Sequence, residues 1–472
     1  MVNWAWLYVA SEWLIRLLML VYVPQRRSPA AARTWLLLIF IHPWVGLGLY
    51  AIFGRVYVPQ RRIDLQTRVS ETLRSVGKGL FGRRLAPPEL PARFQQATLL
   101  AEHLGDFSTL AGNRLELLTD YDGIIDRLIA DIEAAQHHVH LLVYIFDDDR
   151  TGRRVCDAII AAAQRGVACR VFLDSHGAKP AVRRLAPKMR AAGIEVLEMM
   201  PVRFFGRATA RVDLRNHRKI AVIDGRVAYV GSQNIVDASF RGGLVYEELV
   251  ARVTGPVVMQ FQTVFLTDRY LETGEDIDTE PSFPQTEITG TSPAQVIPSG
   301  PGYQHANNQR LIVSLLHAAE RRIVLTTPYF VPDDALLQAL QSAALRGVDV
   351  HLIVSAKCDQ KLVGLAQRSY YEELLEAGIK IHLYQPGLLH AKHLSVDDTV
   401  AVIGSSNLDL RSFVLNAEIN LIVYDPAVAA ELRTIQERNI AAAELLTLEQ
   451  WQQRPFLSEV MQNTARLVDT LL

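Results

Sequence analysis

The chain opens with two long apolar stretches and then settles into short apolar runs alternating with amphipathic segments. Residues 34–53, TWLLLIFIHPWVGLGLYAIF, hold twenty positions without a formal charge. That is long enough to span a hydrocarbon core as one helix, with Pro43 as a tolerated kink. Residues 4–23, WAWLYVASEWLIRLLMLVYV, are equally apolar apart from Glu12 and Arg16. Paired at i, i+4 on one helix face, these two lower each other's cost in lipid. The segment therefore reads either as a second span or as an interfacial or re-entrant helix. No basic stretch precedes it and no A-x-A site follows it, which argues against a cleaved signal peptide.

The heptapeptide VYVPQRR occurs at 21–27 and again at 56–62, each time ending an apolar stretch. Arginines at membrane ends favour the cytoplasmic side. Two spanning helices put the copies on opposite faces, so the preference cannot be met twice. Further arginines (Arg68, Arg74, Arg83, Arg84) follow the second copy. They place the body of the protein in the cytoplasm, held to the membrane by a multi-pass anchor. Trp4, Trp6, Trp35, Tyr50 and Tyr57 fit interface positions. Residues 55–95 are arginine-rich and broken by Pro87, Pro88 and Pro91. They read as a basic linker near anionic headgroups, or equally as a solvated loop.

Beyond the linker the pattern occurs twice. HVHLLVYIF (138–146) is followed by a helical run, RGV (165–167) and the strand-like CRVFLD. RIVLTTPYF (322–330) is followed by a helical run, RGV (346–348) and the strand-like DVHLIVS. Each half continues to AGI, at 192–194 and 377–379. Apolar strands alternating with amphipathic helices predict an α/β fold with a largely buried sheet. Repetition at this scale predicts two fused domains. The boundaries expected are 1–54 for the membrane helices, 55–95 for the basic linker, 96–272 and 304–472 for the two domains. Residues 273–303, rich in Pro, Gly, Thr, Ser and acids, read as the linker between them.

Composition narrows the function. Hydrophobic residues make up 49% of the 472 and charged residues 21%, and the mean hydropathy is +0.11, in keeping with a membrane segment. The net charge of −1 weighs against long nucleic acid as a partner, which demands a basic excess. Cys156, Cys169 and Cys358 lack C-x-x-C spacing and a histidine ladder. They read as buried free thiols rather than a disulfide framework or zinc site.

The chemistry sits in NHRKIAVIDGRVAYVGSQN and LHAKHLSVDDTVAVIGSSN. His217, Lys219, Asp224, Gly231, Ser232 and Asn234 match His390, Lys392, Asp397, Gly404, Ser405 and Asn407, every pair 173 residues apart. One H-x-K is most often a surface strand with alternating polar residues. Two copies with Asp seven and Asn seventeen residues on are not so explained. Period-two spacing puts His and Lys on one strand face. A turn at the Asp then returns the chain so that Ser and Asn come beside them. If the halves pair about a pseudo-twofold axis, two imidazoles, two ammonium groups and several neutral donors converge on one pocket. That set suits a phosphodiester and needs neither metal nor cofactor, since lysines and amides neutralise the phosphorane oxygens. One histidine attacks phosphorus and the other protonates the leaving alcohol. A neutral, oriented imidazole requires a carboxylate behind it. Glu248 or Glu247 in VYEELVARV and Glu418 in LNAEINLIV are the candidates, the first two not separable by sequence.

At these residues the chain resembles the phospholipase D superfamily with its two HKD motifs, and within it the bacterial cardiolipin synthase family. The resemblance covers nearly the whole length. It includes GLYAIFGR, RNHRKI, TPYFVPDDALLQAL, RSYYEELLEAGIKIHLY and SSNLDLRSFVLNAEI. It implies two fused phospholipase D-like domains, each a mixed sheet flanked by helices, behind an N-terminal transmembrane helical hairpin. It also implies phosphatidyl transfer between two phosphatidylglycerol molecules at the membrane, with a homo-oligomer allowed. Phospholipid hydrolysis, or transfer to another alcohol, uses the same histidines. Carried over by motif, His217 is the nucleophile and His390 the general acid, although the symmetry permits the reverse. Lys219, Lys392, Asn234 and Asn407 bind phosphate oxygens, with Ser232 and Ser405 beside them. Asp224 and Asp397 complete the catalytic motif, more by fixing the hairpin or lysine than by chemistry. Two departures stand out. The first motif has Ser232 where the family often has Gly, a change expected to matter little. Tyr246 and Glu248 replace a Trp and an Asp common after the first motif, which leaves the orienting group there open.

Overall fold

The computed structural model describes residues 4–27, 29–54, 60–80, 90–201, 213–241, 243–275, 283–285 and 287–467. Tyr57, Arg83, Arg84, Pro87 and Pro88, and the stretch 276–282 of the expected inter-domain linker, lie outside the described residues.

One continuous mixed sheet runs through the body. In the first half its order is Glu195–Met199, Ala168–Asp174, His138–Val143, Ile220–Ile223, Val227–Gly231, Val250–Thr254, Leu110–Leu118. The second half repeats it as Lys380–Tyr384, Asp349–Ser355, Arg322–Thr326, His393–Val396, Val400–Gly404, Asn416–Tyr424, Ser292–Ser299. In each half the first two pairings are parallel and the rest antiparallel. The halves meet where Leu110–Leu118 pairs with Ser292–Ser299.

Sequence dictates the central strands directly. His138–Val143 and Asn416–Tyr424 are buried at every position, as strands covered on both faces must be. Helices Arg150–Gln164 and Asp334–Leu345 carry aspartate N-caps, Asp149 and Asp333. Each ends before the glycine of its RGV, Gly166 at φ 92° and Gly347 at φ 90°. That left-handed conformation lets the chain leave the helix and start the next strand at little cost.

Three expectations need correction. First, residues 273–303 are not all linker, because 292–299 form the strand that joins the halves. Pro298 and the flanking glycines disguised it as a turn. Second, residues 55–95 contain the helix Gln60–Leu80. It is fastened to the body by Arg62–Glu272 at 2.5 Å and Arg74–Asp106 at 2.7 Å.

Third, residues 34–53 are not one helix. The helix Pro29–Ile41 stops at His42, whose φ −132° and ψ 83° are not helical. Pro43–Leu49 follows and runs into a π turn at Tyr50–Gly54. A Cβ on Gly46 would stand 2.7 Å from the Cα of Ile39. Seven residues of straight helix separate by about 10 Å, so the second piece folds back on the first. Arg27 accordingly donates to the Phe53 carbonyl at 3.4 Å. Among the described residues one helix, Trp4–Tyr22, is long and apolar enough to cross a membrane. Its Arg16 meets Glu12 at 3.4 Å and donates to the Phe40 carbonyl at 3.2 Å.

Candidate active site

Each histidine is set by a strand borrowed from the other half. Arg215–Asn216 pairs in parallel with Asn416–Ala417, and the His217 N–H donates to the Ala417 carbonyl at 2.8 Å. Leu388–Leu389 pairs likewise with Tyr246–Glu247, and the His390 N–H donates to the Glu247 carbonyl at 2.8 Å. The next residue along each borrowed strand is a glutamate. His217 Nδ1 lies 2.8 and 3.0 Å from the Glu418 oxygens, and His390 Nδ1 lies 2.8 and 3.0 Å from those of Glu248. The carboxylates are thus exchanged between halves. Glu248, not Glu247, is the partner, since Glu247 contributes its carbonyl.

A carboxylate at Nδ1 fixes the proton there and turns the Nε2 lone pair outward. Both imidazoles line one cavity of about 480 Å³. Burial pushes the His217 imidazole down to about 4, against the pull of Glu418, and pushes His390 down too. Burial raises the Glu418 and Glu248 carboxyls, but the imidazoles and lysines outweigh it and hold both below their ordinary range. The resting site is therefore two ionised glutamates behind neutral rings.

Lys219 Nζ donates to the His217 carbonyl at 2.8 Å, and Lys392 does the same to His390. Each spends one of three donors this way. Burial lowers Lys219 to about 8 and Lys392 to about 7. Asn234 and Asn407 line the cavity, and the Asn234 Oδ1 accepts the Ile145 N–H at 3.1 Å.

Ser232 and Ser405 do not face the cavity with the asparagines. Both are fully buried behind the glutamates. Ser405 Oγ donates to Glu418 at 2.5 Å, and Ser232 bonds Glu248 and the backbone of Leu249. Their placement is that of carboxylate holders, which corrects the substrate-binding expectation. Asp224 and Asp397 also sit away from the imidazoles. Both occupy the turn at φ 51°, a conformation aspartate tolerates. Asp224 accepts the N–H groups of Gln136, His137 and His138, and Asp397 those of Glu320, Arg321 and Arg322. They clamp the hairpin to the start of the neighbouring strand and do not belong to the catalytic set.

Several site residues escaped the sequence reading. Arg215 and Arg411 make part of the wall cationic, with His176 beside them, while Asp359, Tyr246 and Tyr329 line another part. The buried Arg218 donates to the Glu418 carbonyl at 3.0 Å and pairs with Asp268. Arg218 lies inside RNHRKI, so a signal was present. Asp359 lies in a loop with no motif.

A sequence profile described as "Cardiolipin synthase, PLD-like domain" matches residues 128–269 and 312–440. Cardiolipin synthase A of Pectobacterium carotovorum subsp. carotovorum (strain PC1) is 38% identical over 99% of this chain and 98% of its own. Cardiolipin synthase A of Serratia proteamaculans (strain 568) is 36% identical over the same shares. Among solved structures, phosphatidylserine synthase of Haemophilus influenzae Rd KW20 superimposes with a TM-score of 0.61 at 16% identity. The match covers 80% of this chain and all of that one, and at that identity it speaks for the fold alone.

Proposed function

The chain belongs to the cardiolipin synthase family of phospholipase D-like enzymes, and from that premise we propose that it joins two phosphatidylglycerol molecules into cardiolipin and glycerol through a phosphohistidine. The observation that carries this reading is the pair of carboxylate-backed imidazoles lining one cavity. The matching strand order of the halves supports an approximate twofold axis between them.

His217 Nε2 attacks the phosphorus of the first lipid, and the bond from phosphorus to the glycerol oxygen breaks. His390 gives that oxygen its proton, and glycerol leaves. His390 starts the step protonated, because the arriving phosphate adds its negative charge to that of Glu248. Now neutral, His390 takes the proton from a hydroxyl of the second lipid. The resulting oxygen attacks phosphorus, the phosphorus–nitrogen bond breaks, and cardiolipin is released. Lys219, Lys392, Asn234 and Asn407 hold the phosphate oxygens as charge builds on them.

The amino-terminal geometry supports one mode of anchoring. The helix Trp4–Tyr22 crosses the inner membrane once, and residues 29–54 enter and return on the side of the body. Arg27 against Phe53 supports this arrangement. Both arginine-rich copies then lie on the cytoplasmic face, and the conflict posed by two spans disappears. Cysteines placed at Gln25 and Arg61 are expected to react with an impermeant thiol reagent from the same side of sealed vesicles. Reaction from opposite sides restores two spans.

The decisive test of the reaction is purified full-length protein in detergent with labelled phosphatidylglycerol alone. Cardiolipin and free glycerol in equal amounts are expected, and neither from His217→Ala. Phosphatidic acid as the sole product makes the protein a hydrolase. Product appearing only with phosphatidylethanolamine present reassigns the donor.

A further inference from the structure

The loop after the strand Asp349–Ser355 brings a carboxylate to the cavity that the phosphoryl chemistry does not use. The Asp359 side chain is 6% exposed. Its Oδ1 accepts the Tyr329 hydroxyl at 2.6 Å and its Oδ2 the Tyr246 hydroxyl at 3.0 Å. Arg241, half exposed at the rim, approaches Oδ2 at 3.4 Å. All four residues line the cavity. The Tyr246 ring stands edge-on to the His390 imidazole, centroids 5.3 Å apart. The cluster therefore sits one ring away from the proton carrier.

A buried anion inside a cavity that receives an anionic phosphodiester is unfavourable at short range. Its presence marks this end as the place for a part of the substrate that is not anionic. A carboxylate has lone pairs beyond those the tyrosines use, and each tyrosine oxygen can still accept. Such a set complements a neutral group carrying adjacent hydroxyls. The matching loop of the first half, residues 175–178, holds no carboxylate. There the wall carries Arg215 and Arg411 instead.

We propose that Asp359, Tyr246 and Tyr329 form a polyol subsite that binds the adjacent hydroxyls of a glycerol head group beside His390. It holds first the glycerol that leaves and then the glycerol moiety of the accepting lipid. The adjacent hydroxyls donate to Asp359 and to a tyrosine oxygen, and a monohydric alcohol can satisfy only one of those acceptors. The proposal rests on the phosphatidylglycerol reading and makes it specific. The subsite, rather than the histidines, chooses the alcohol.

The test is a competition in detergent micelles. Full-length protein receives phosphatidylglycerol with equal concentrations of isotopically labelled glycerol, ethanol and ethanolamine, and the phosphatidyl products are resolved by mass. The wild type is expected to favour glycerol exchange over phosphatidylethanol by at least about tenfold, the discrimination typical of a site built to hydrogen-bond a hydroxyl. Asp359→Asn keeps the shape and removes the charge, and is expected to lower that ratio about tenfold. Should Asp359→Asn not fold, Tyr329→Phe decides by the same ratio, with a shift of about threefold expected. A ratio unchanged within twofold in an active variant overturns the subsite alone. A variant that loses ethanolamine transfer more than glycerol transfer also overturns it, in favour of an ammonium site. A wild type that yields no phosphatidyl product overturns the phosphatidylglycerol reading and the subsite with it.

Discussion

The two halves place their histidines in one backbone frame and surround them with different charges. The N–H before His217 is held by the Asp174 carboxylate at 3.0 Å, and the N–H before His390 by the Ser355 hydroxyl at 2.7 Å. The residue after His217 is Arg218, buried and paired with Asp268, whereas the residue after His390 is Ala391. Toward the cavity the difference reverses sign, with Arg215 beside His217 and Asp359 behind Tyr246 at His390. Duplication thus supplies geometry, and local charge supplies roles. A cationic wall suits the phosphate that His217 is proposed to attack. A carboxylate and hydroxyls suit the alcohol whose proton His390 is proposed to carry.

The comparison breaks most sharply at the histidines. Either alanine variant is expected to lose about a thousandfold or more in cardiolipin formation. A phosphatidyl ester with an aryloxide leaving group separates them, because a good leaving group needs no general acid. His390→Ala should then return to within about tenfold of wild type in its first turnover. Its phosphatidyl group should also remain on the protein after a denaturing quench at neutral pH. His217→Ala should do neither. The opposite pattern exchanges the roles of the halves.

The lysines sharpen the comparison through pH. The proposed mechanism needs both charged, and burial lowers Lys392 to about 7 and Lys219 to about 8. Raising the pH removes their protons, so kcat/KM, which reports the free enzyme, should fall about tenfold or more between pH 7 and pH 9. Arginine keeps its charge throughout that range. Lys392→Arg should leave a limb near 8, and Lys219→Arg a limb near 7. Identical limbs in the two variants would mean that the halves titrate as one unit.

The motifs were legible because their spacing is one-dimensional: His217 to Asp224 to Asn234 repeats unchanged from His390 onward. The alternation of strand and helix in each half followed from apolar runs and amphipathic segments punctuated by RGV and AGI. What stayed hidden depends on long-range register. Glu248 could be told from Glu247 only when Leu388–Leu389 was seen to pair with Tyr246–Glu247. Glu418 was named from its apolar strand, but its exchange across the halves rests on Ala417 receiving the His217 N–H. Ser232 and Ser405 follow glycines in the motif, and nothing in spacing says whether such a hydroxyl faces phosphate or carboxylate. The break at His42 is likewise tertiary. A proline within twenty apolar residues allows a kinked span or a return, and the close packing of Gly46 on Ile39 decides it.

The smallest expected effect tests whether the two carboxylates are held equally. Ser405 Oγ donates to Glu418 at 2.5 Å and also meets the Ile419 backbone, whose carbonyl lies at 3.3 Å and whose N–H lies at 3.0 Å. Ser232 divides its hydrogen bonding between Glu248 and the Leu249 backbone, whose carbonyl lies at 3.2 Å and whose N–H lies at 3.0 Å. A hydrogen bond to a charged group contributes about 1.5–3 kcal/mol, so Ser405→Gly should lower kcat by about tenfold. Ser232→Gly removes the matching set of bonds at a position suited to glycine and should cost about threefold or less. Glycine is also the residue that the resembled family often carries there, so little change at Ser232 is the natural outcome. Steady-state rates of the two variants, with unfolding midpoints measured beside them, separate a loosened carboxylate from a loosened fold. Equal losses in kcat would show that the charge asymmetry around the histidines does not extend to the groups that hold their glutamates.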